Sequence, residues 1–258
     1  MVRAFENPAV PAYRDRVDPA ADVVELREEL VYADLVTIEN RIEKVEKALK
    51  KPTKDHDREK REHALLLTCN DALENARPLS SVITTDDDRK AIASFALLTL
   101  KPLLVVFNIS EQDAIRPDPE VPEHTAGAVD ICGVTEAEIA QLDPQDQAAF
   151  LADLGVDQPA RDRLVRKSYQ TIGLVSFLTV GPDEVRAWSV PVDGTAVEAA
   201  GKIHSDMARG FIRAETVAYD DLIEAGDIKT AKANAKVRQE GKTYVVRDGD
   251  VINFKFNL

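Results

Sequence analysis

Apolar residues in the first eighty positions recur with helical spacing. Val31, Leu35, Ile38, Ile42, Val45 and Leu49 alternate in steps of four and three, which is the seam of a coiled coil and predicts a long helix from Asp22. Lys51-Pro52-Thr53 predicts its end, because proline cannot continue a helix. A second helix is expected to carry Leu65, Cys69, Ala72, Ala76 and Leu79 at the same alternation. Two short seams joined by a charged turn predict an antiparallel helical hairpin in which each stripe buries the other.

Past Leu79 the pattern changes. Thr85-Asp86-Asp87-Asp88 reads as a capped helix start with acids in its first turn, where they favour the helix dipole. A buried helix is expected over Ala91 to Leu100, broken by Pro102. Leu103 to Phe107 (LLVVF) and Ala128 to Cys132 (AVDIC) are all-apolar runs of the kind found in a parallel sheet covered on both faces. Met1 to Phe5 is also strand-like, and Pro117, Pro119 and Pro122 exclude a regular crossover helix along the whole connection. Helices are expected over Glu136 to Leu142, Pro144 to Leu154 and Pro159 to about Gly173. Strand, connection, strand, helix is the end of an α/β sheet.

Beyond Gly173, strands over Leu174 to Val180 and Glu184 to Val190 flank the turn Gly181-Pro182-Asp183, and a helix follows from Thr195. With further strands at the end, this predicts a small α+β domain of the ubiquitin-like β-grasp type. The terminal stretch QEGKTYVVRDGD, Gln239 to Asp250, contains Gly241-Lys242-Thr243, which is how a phosphate-binding loop ends. Such a loop needs a glycine five positions earlier and a helix afterwards. Here those places hold Lys236 and the β-branched run Tyr244-Val245-Val246. The triplet is read instead as a turn entering a hairpin, with Asp248-Gly249 as a type I′ turn between strands Tyr244 to Arg247 and Asp250 to Phe256.

Composition narrows the function. The 258 residues are 44% hydrophobic and 31% charged, ordinary for soluble globular domains. Cys69 and Cys132 lie far apart and the four histidines are scattered, so neither a disulfide framework nor a metal site is expected. Charges among the first thirty residues break any signal-peptide core, and no apolar stretch reaches the roughly 20 residues of a membrane span. A cytoplasmic protein with no membrane partner is expected. A net charge of −13 disfavours non-specific binding to nucleic acid. Only the hairpin tip runs the other way: from Lys47 to Arg61, seven bases face three acids. That tip is either a solvated helix surface or a basic knob held about 40 Å from the body by a helix of about 28 residues.

Two long stretches carry a family resemblance. AWSVPVDGTAVEAAGKIHSDMARGFIRAETVAYDDL (Ala187 to Leu222) and the terminal RQEGKTYVVRDGDVINFKFNL resemble the TGS domain of the YchF, or Obg-like ATPase, family. TLKPLLVVFNISEQD (Thr99 to Asp113) resembles that family's strand and base-recognition loop, and MVRAFENP with the hairpin resembles the passage from its G domain into a coiled-coil insertion. The resemblance implies a partial P-loop NTPase sheet over residues 1–21 and 85–173, a coiled-coil insertion over 22–84 and a TGS domain over 174–258. It also implies, for the family, ATP and Mg2+ as cofactors, ATP preferred over GTP, and association with ribosomes.

Guanine-specific relatives read the base with an Asn-Lys-x-Asp loop whose carboxylate accepts from guanine N1 and N2. Here the loop is Asn108-Ile109-Ser110-Glu111. By resemblance these four residues would line an adenine pocket, with Cys132, Gly133 and Val134 closing over the base. Read without the resemblance, Asn108 is a strand-end turn residue. No Gly-x-x-x-x-Gly-Lys-[Ser/Thr] loop occurs in the sequence. The chain is therefore expected to be the C-terminal part of such a protein, with no catalytic residues and no cofactor of its own. It is expected to act as a module binding ribosomal RNA or protein, and as an ATPase only with the phosphate-binding half supplied. An incomplete sheet is expected to favour self-association. Candidate ribosome contacts are Lys50, Lys51, Lys54 and Arg58 at the tip, and Lys202, Arg209 and Arg213 in the terminal domain. His204 stands either as a functional residue or as a histidine hydrogen-bonded within the fold, and Trp188 reads as core or edge packing.

Overall fold

The computed structural model describes all residues except 51–54, 114–118, 157, 182 and 258. The chain divides into two compact units, Met1–Lys167 and Ser168–Leu258. The expected helix end at Lys51-Pro52-Thr53 lies outside the described residues, as does Pro182 of the expected turn.

In the first unit, strand β1 (Val2–Ala4) leads to helix α1 (Pro19–Leu49), which starts three residues earlier than the spacing predicted. Pro19 sits at the first helical turn, and the Asp18 carboxylate accepts from the Ala21 N–H, so proline costs no hydrogen bond there. Helix α2 (His56–Glu74) packs against α1. Of the six seam residues of α1, Ile38 and Val45 are buried in the shared core and Val31, Leu35, Ile42 and Leu49 pack against it, partly buried. Arg41 Nε to Glu62 Oε1 at 2.5 Å and His63 Nε2 to Glu46 Oε1 at 3.3 Å join the two helices.

The α2 seam departs from expectation. Leu66, Cys69, Ala72 and Leu73 are buried, while Leu65 is only partly so and Ala76 is exposed. Ala76 lies past the helix end at a φ of 53°. Its N–H donates to Leu73 O, and the Arg77 N–H to Ala72 O at 2.7 Å, the paired bonds of a Schellman stop. Leu79 returns to the core from a short 3-10 turn, not from the helix.

Helix α3 (Asp86–Ile92) begins with the expected cap: Thr85 and Asp88 exchange side-chain and backbone hydrogen bonds. The helix expected over Ala91 to Leu100 stops early. A 3-10 turn at Ala93–Phe95 is followed by Ala96 at a φ of 50°. The reason is Asp34 on α1, which is 2% exposed. Its carboxylate accepts from the Leu98 N–H and Thr99 N–H, both at 2.8 Å, and from Thr99 Oγ1 at 2.7 Å. A helix continuing through Thr99 would withdraw those donors and leave a buried carboxylate unpaired.

Strands β2 (Leu104–Ile109) and β3 (Gly127–Ile131) join β1 in a parallel sheet of order β1-β2-β3. One face packs Val105, Phe107 and Ile109 against Val23 of α1. Helices α4 (Gly133–Ile139), α5 (Pro144–Asp153) and α6 (Ala160–Thr171) follow. The first starts three residues before its expected position. Ala160 and Leu164 pack on the other sheet face against Val106, Val129 and Ile131.

In the second unit, β4 (Leu174–Val180) and β5 (Val185–Pro191) pair antiparallel. Helices α7 (Ala196–Ile203) and α8 (Ser205–Arg209) lead to β6 (Phe211–Ala218). Helices α9 (Tyr219–Ala225) and α10 (Ile228–Ala233) lead to β7 (Arg238–Glu240) and β8 (Asp250–Phe256). The sheet order is β5-β4-β8-β6-β7. Ala196, Ala199 and Ala200 of α7 pack on Phe177, Phe211 and Phe254, whose rings meet edge to face.

The expected terminal hairpin is absent. Both flanks of β8 are taken, by β4 in parallel and β6 antiparallel. Tyr244 to Val246 instead pairs with the start of α7: Ala196 N–H donates to Tyr244 O, and Val246 N–H to Gly194 O. Asp248-Gly249 does turn, but of the two only Gly249 has a positive φ, 79°, whereas type I′ requires it at both. The Lys242 turn itself is present, with Tyr244 N–H donating to Gly241 O.

Candidate functional site

In an open parallel sheet, ligands bind beyond the carboxyl ends of the strands. At that edge of β2, Asn108 stands opposite Ile131 of β3 and Arg3 of β1. The side-chain oxygen of Asn108 accepts from the Gly133 N–H at 3.1 Å. This bond ties the loop after β2 to the loop after β3. A Cβ at position 133 would lie 3.3 Å from that oxygen, so the close approach is suited to glycine.

The other expected residues divide into two groups. Ile109 and Cys132 are buried in the core of the sheet, so their side chains form the floor beneath the loops. Glu111 and Val134 are exposed. Ser110 Oγ donates to Asp113 Oδ2 at 2.7 Å, and the Asp113 N–H to Ser110 O at 3.1 Å. That closes a 3-10 turn over Glu111–Asp113. Thr135 Oγ1 sits 3.1 Å from Cys132 Sγ. A cavity of about 30 Å³ lies behind the loops, lined in part by Ile109, Cys132 and Thr135. It is the size of one water.

Two further side chains shape these loops. The role of Asp113 is legible in the sequence, since Ser-x-x-Asp is a turn-capping spacing. That of Glu136 is not: its carboxylate accepts from the Ala160 and Arg161 N–H groups at 2.7 and 3.2 Å. It thereby caps α6 from a position 24 residues away and fixes the far side of the Cys132–Val134 loop.

The basic candidates form two separate sets. Lys50 and Arg58 are exposed at the far ends of α1 and α2, together with Lys60 and Arg61. Lys51 and Lys54 lie outside the described residues. Lys47 pairs with Glu43 at 3.5 Å, a solvated contact worth little. In the second unit Lys202 is exposed on α7, Arg209 pairs with Asp206 at 2.6 Å, and Arg213 lies 3.8 Å from Glu215. Ala214 faces the core beneath α7, so strand alternation turns Arg213 to the opposite sheet face. The structure does not bring these three cations together. Nδ1 of His204 accepts from the Asp206 N–H at 3.1 Å and caps α8, an internal hydrogen bond. Trp188 packs against the core, with Nε1 donating to Thr179 Oγ1 at 2.9 Å and Arg186 over its ring at 4.3 Å.

Among the described residues no helix is long and apolar enough to cross a membrane.

Residues 174–257 match the family profile YchF-GTPase C-terminal, described as "Protein of unknown function (DUF933)". The chain is 40% identical over 267 residues to the "Ribosome-binding ATPase YchF" of Bacillus subtilis, covering all of this chain and 72% of that protein. It is 35% identical over 268 residues to "Obg-like ATPase 1" of Caenorhabditis elegans, covering 67% of that protein. The solved Schizosaccharomyces pombe YchF GTPase matches with a TM-score of 0.79 at 25% identity, over 98% of this chain and 70% of that one. A mixed α/β architecture shared with that structure, together with identity sustained over its whole length, shows that this chain belongs to the YchF, or Obg-like ATPase, family.

Proposed function

We propose that the chain serves a YchF-type ribosome-associated ATPase as its docking module, contacting ribosomal RNA or protein through the helical pair and the terminal unit. In this reading residues 22–84 are the coiled-coil insertion, 1–21 and 85–173 the remainder of the NTPase domain, and 174–258 a β-grasp TGS domain. The observation that carries it is the exposed basic end of α1 and α2, where Lys50, Arg58, Lys60 and Arg61 have no acidic partner among the described residues. Relatives named as ribosome-binding support the choice of partner. From Val23 to Lys50 the helix runs 27 residues, about 40 Å at 1.5 Å per residue. Physiological salt screens the acidic body beyond about 8 Å, so the tip acts as a local cation.

Ribosome co-sedimentation tests this. Replacing Lys50, Lys51, Lys54 and Arg58 with glutamate should abolish it and leave the circular-dichroism melt nearly unchanged. Wild-type binding should weaken steeply with added salt, as counterion release requires. Retained co-sedimentation in the reversed variant would move the contact to Lys202, Arg209 and Arg213.

A second reading, adenine-nucleotide binding and hydrolysis in a cytoplasmic ATPase, is favoured by the Asn108–Gly133 bond that draws two loops together where a base would lie. Asn108, Ile109, Ser110 and Glu111 would form one wall, and Cys132, Gly133 and Val134 the other. Hydrolysis would further need phosphate and magnesium ligands, for which these 258 residues hold no Gly-x-x-x-x-Gly-Lys-[Ser/Thr] loop.

A further inference from the structure

A trough of about 920 Å³ opens at the root of the helical pair, far along the sheet from the Asn108 edge. Val24, Val31 and Leu35 of α1 form one wall, and Leu98, Leu100 and Leu103 before β2 form the other. Several of these side chains are open to solvent: Val24 is 55% exposed and Tyr32, on the lip, 67%. A concave, mostly apolar trough of this volume with a few polar groups at its rim has the form of a binding site. The rim carries Arg27, Arg77 and Lys101 against Glu28. On a chain of net charge −13, this is a local reversal of sign. Arg77 also pairs with Asp71 and Arg27 reaches Glu123 O, whereas Lys101 is exposed and has no partner among the described residues.

We propose that this trough receives an amphipathic helix of a partner protein, apolar on one side and flanked by carboxylates. The α1 wall runs from Val24 to Leu35, about 16 Å at 1.5 Å per residue, or three helical turns. That length suits anchors at positions i, i+4, i+7 and i+11 of a bound helix. The aliphatic walls argue against single-stranded RNA, which binds by stacking successive bases on aromatic platforms, because the trough lining holds no Phe or Trp and offers only the rings of Tyr32 and His124 among the described residues. The cationic rim argues for acidic flanks, since complementary potentials steer and orient a partner. The proposal stands independently of ribosome docking and of the nucleotide reading.

The test is a selection on the whole chain from a displayed library of random 16-residue peptides, with a Tyr32→Asp/Lys101→Glu variant as counter-target. Expected winners place apolar residues three and four apart between Asp and Glu. In anisotropy titrations they should bind the double variant at least tenfold more weakly, and lose affinity as salt rises. Lys101→Glu alone, at an exposed position, should keep the wild-type melt and still weaken binding severalfold. Basic or extended winners, winners that bind wild type and variant equally, or no enrichment over the counter-target would overturn the proposal. So would an RNA 20-mer that binds wild type and is lost in the variant. A dimer in sedimentation velocity that Tyr32→Asp dissociates would give the trough to a second copy of the chain instead.

Discussion

A buried carboxylate within a helix is costly unless its oxygens are used, and Asp34 uses both. Three donors from Leu98 and Thr99 converge on it, so one side chain on α1 decides where the segment after α3 stops being helical. Asp34→Ala would strand those donors and should lower the unfolding free energy by about 2–4 kcal/mol in urea titration. Asp34→Asn, keeping one acceptor, should cost less, and an equal loss in the two variants would show that the charge, not the acceptor geometry, matters. Nothing around Asp34 in the sequence announces this role, because its partners lie 64 and 65 residues on. The same distance problem hid Glu136. Asn108 and Gly133 were singled out through the family resemblance alone, and the bond between them is the feature that places both at one edge of the sheet.

Elements were legible where their signal was local and repeated. The α1 stripe of six apolar residues marks one helix face, with Ile38 and Val45 buried in the core and the other four packed against it. The α2 stripe was shorter and admitted two phases: Leu65 and Leu66 both fit a helical period, and the cross-helix packing chose Leu66. Leu66→Ala should therefore cost about 3 kcal/mol and Leu65→Ala about 1, read from thermal or urea melts; a reversed order would refute the phase. The terminal hairpin failed for a different reason. A turn and two β-branched runs specify that strands exist, not which neighbours they pair with. Here β8 lies between β4 and β6, and Val245 is left to bridge Thr195.

At the scale of the whole molecule, charge placement sets two expectations. Glu215 is held below its ordinary value of 4.5, first by its hydrogen bond from Lys232 and then by the charges of Lys255, Lys232 and Arg213. A depressed carboxyl stabilises the fold above about pH 4.5, and that share disappears as pH falls through the folded value. Acid unfolding followed by circular dichroism should thus be steeper below pH 4.5 in the wild type than in Glu215→Gln; parallel curves would remove Glu215 from the acid response. For nucleotide, calorimetry of the 258-residue chain with MgATP should show affinity no tighter than roughly millimolar, about −4 kcal/mol, because a base edge alone supplies few contacts. Micromolar binding would mean that the loops at Asn108 and Gly133 hold more than a base. The β1 side of the three-stranded sheet has no further strand among the described residues, and we propose that this edge favours self-association. The Asp34 latch also gives the helical pair a mechanical meaning. Helix α1 rests on the sheet at Val23 and is fastened again at Asp34; by the helical rise Asp34 lies about 16 Å and Lys50 about 40 Å from Val23. Pivoting at Val23, it is a lever with an arm ratio of about 2.5: a load that swings the tip by about 5 Å would pull Leu98 and Thr99 by about 2 Å, and the segment they begin leads into β2, which carries Asn108 near its far end.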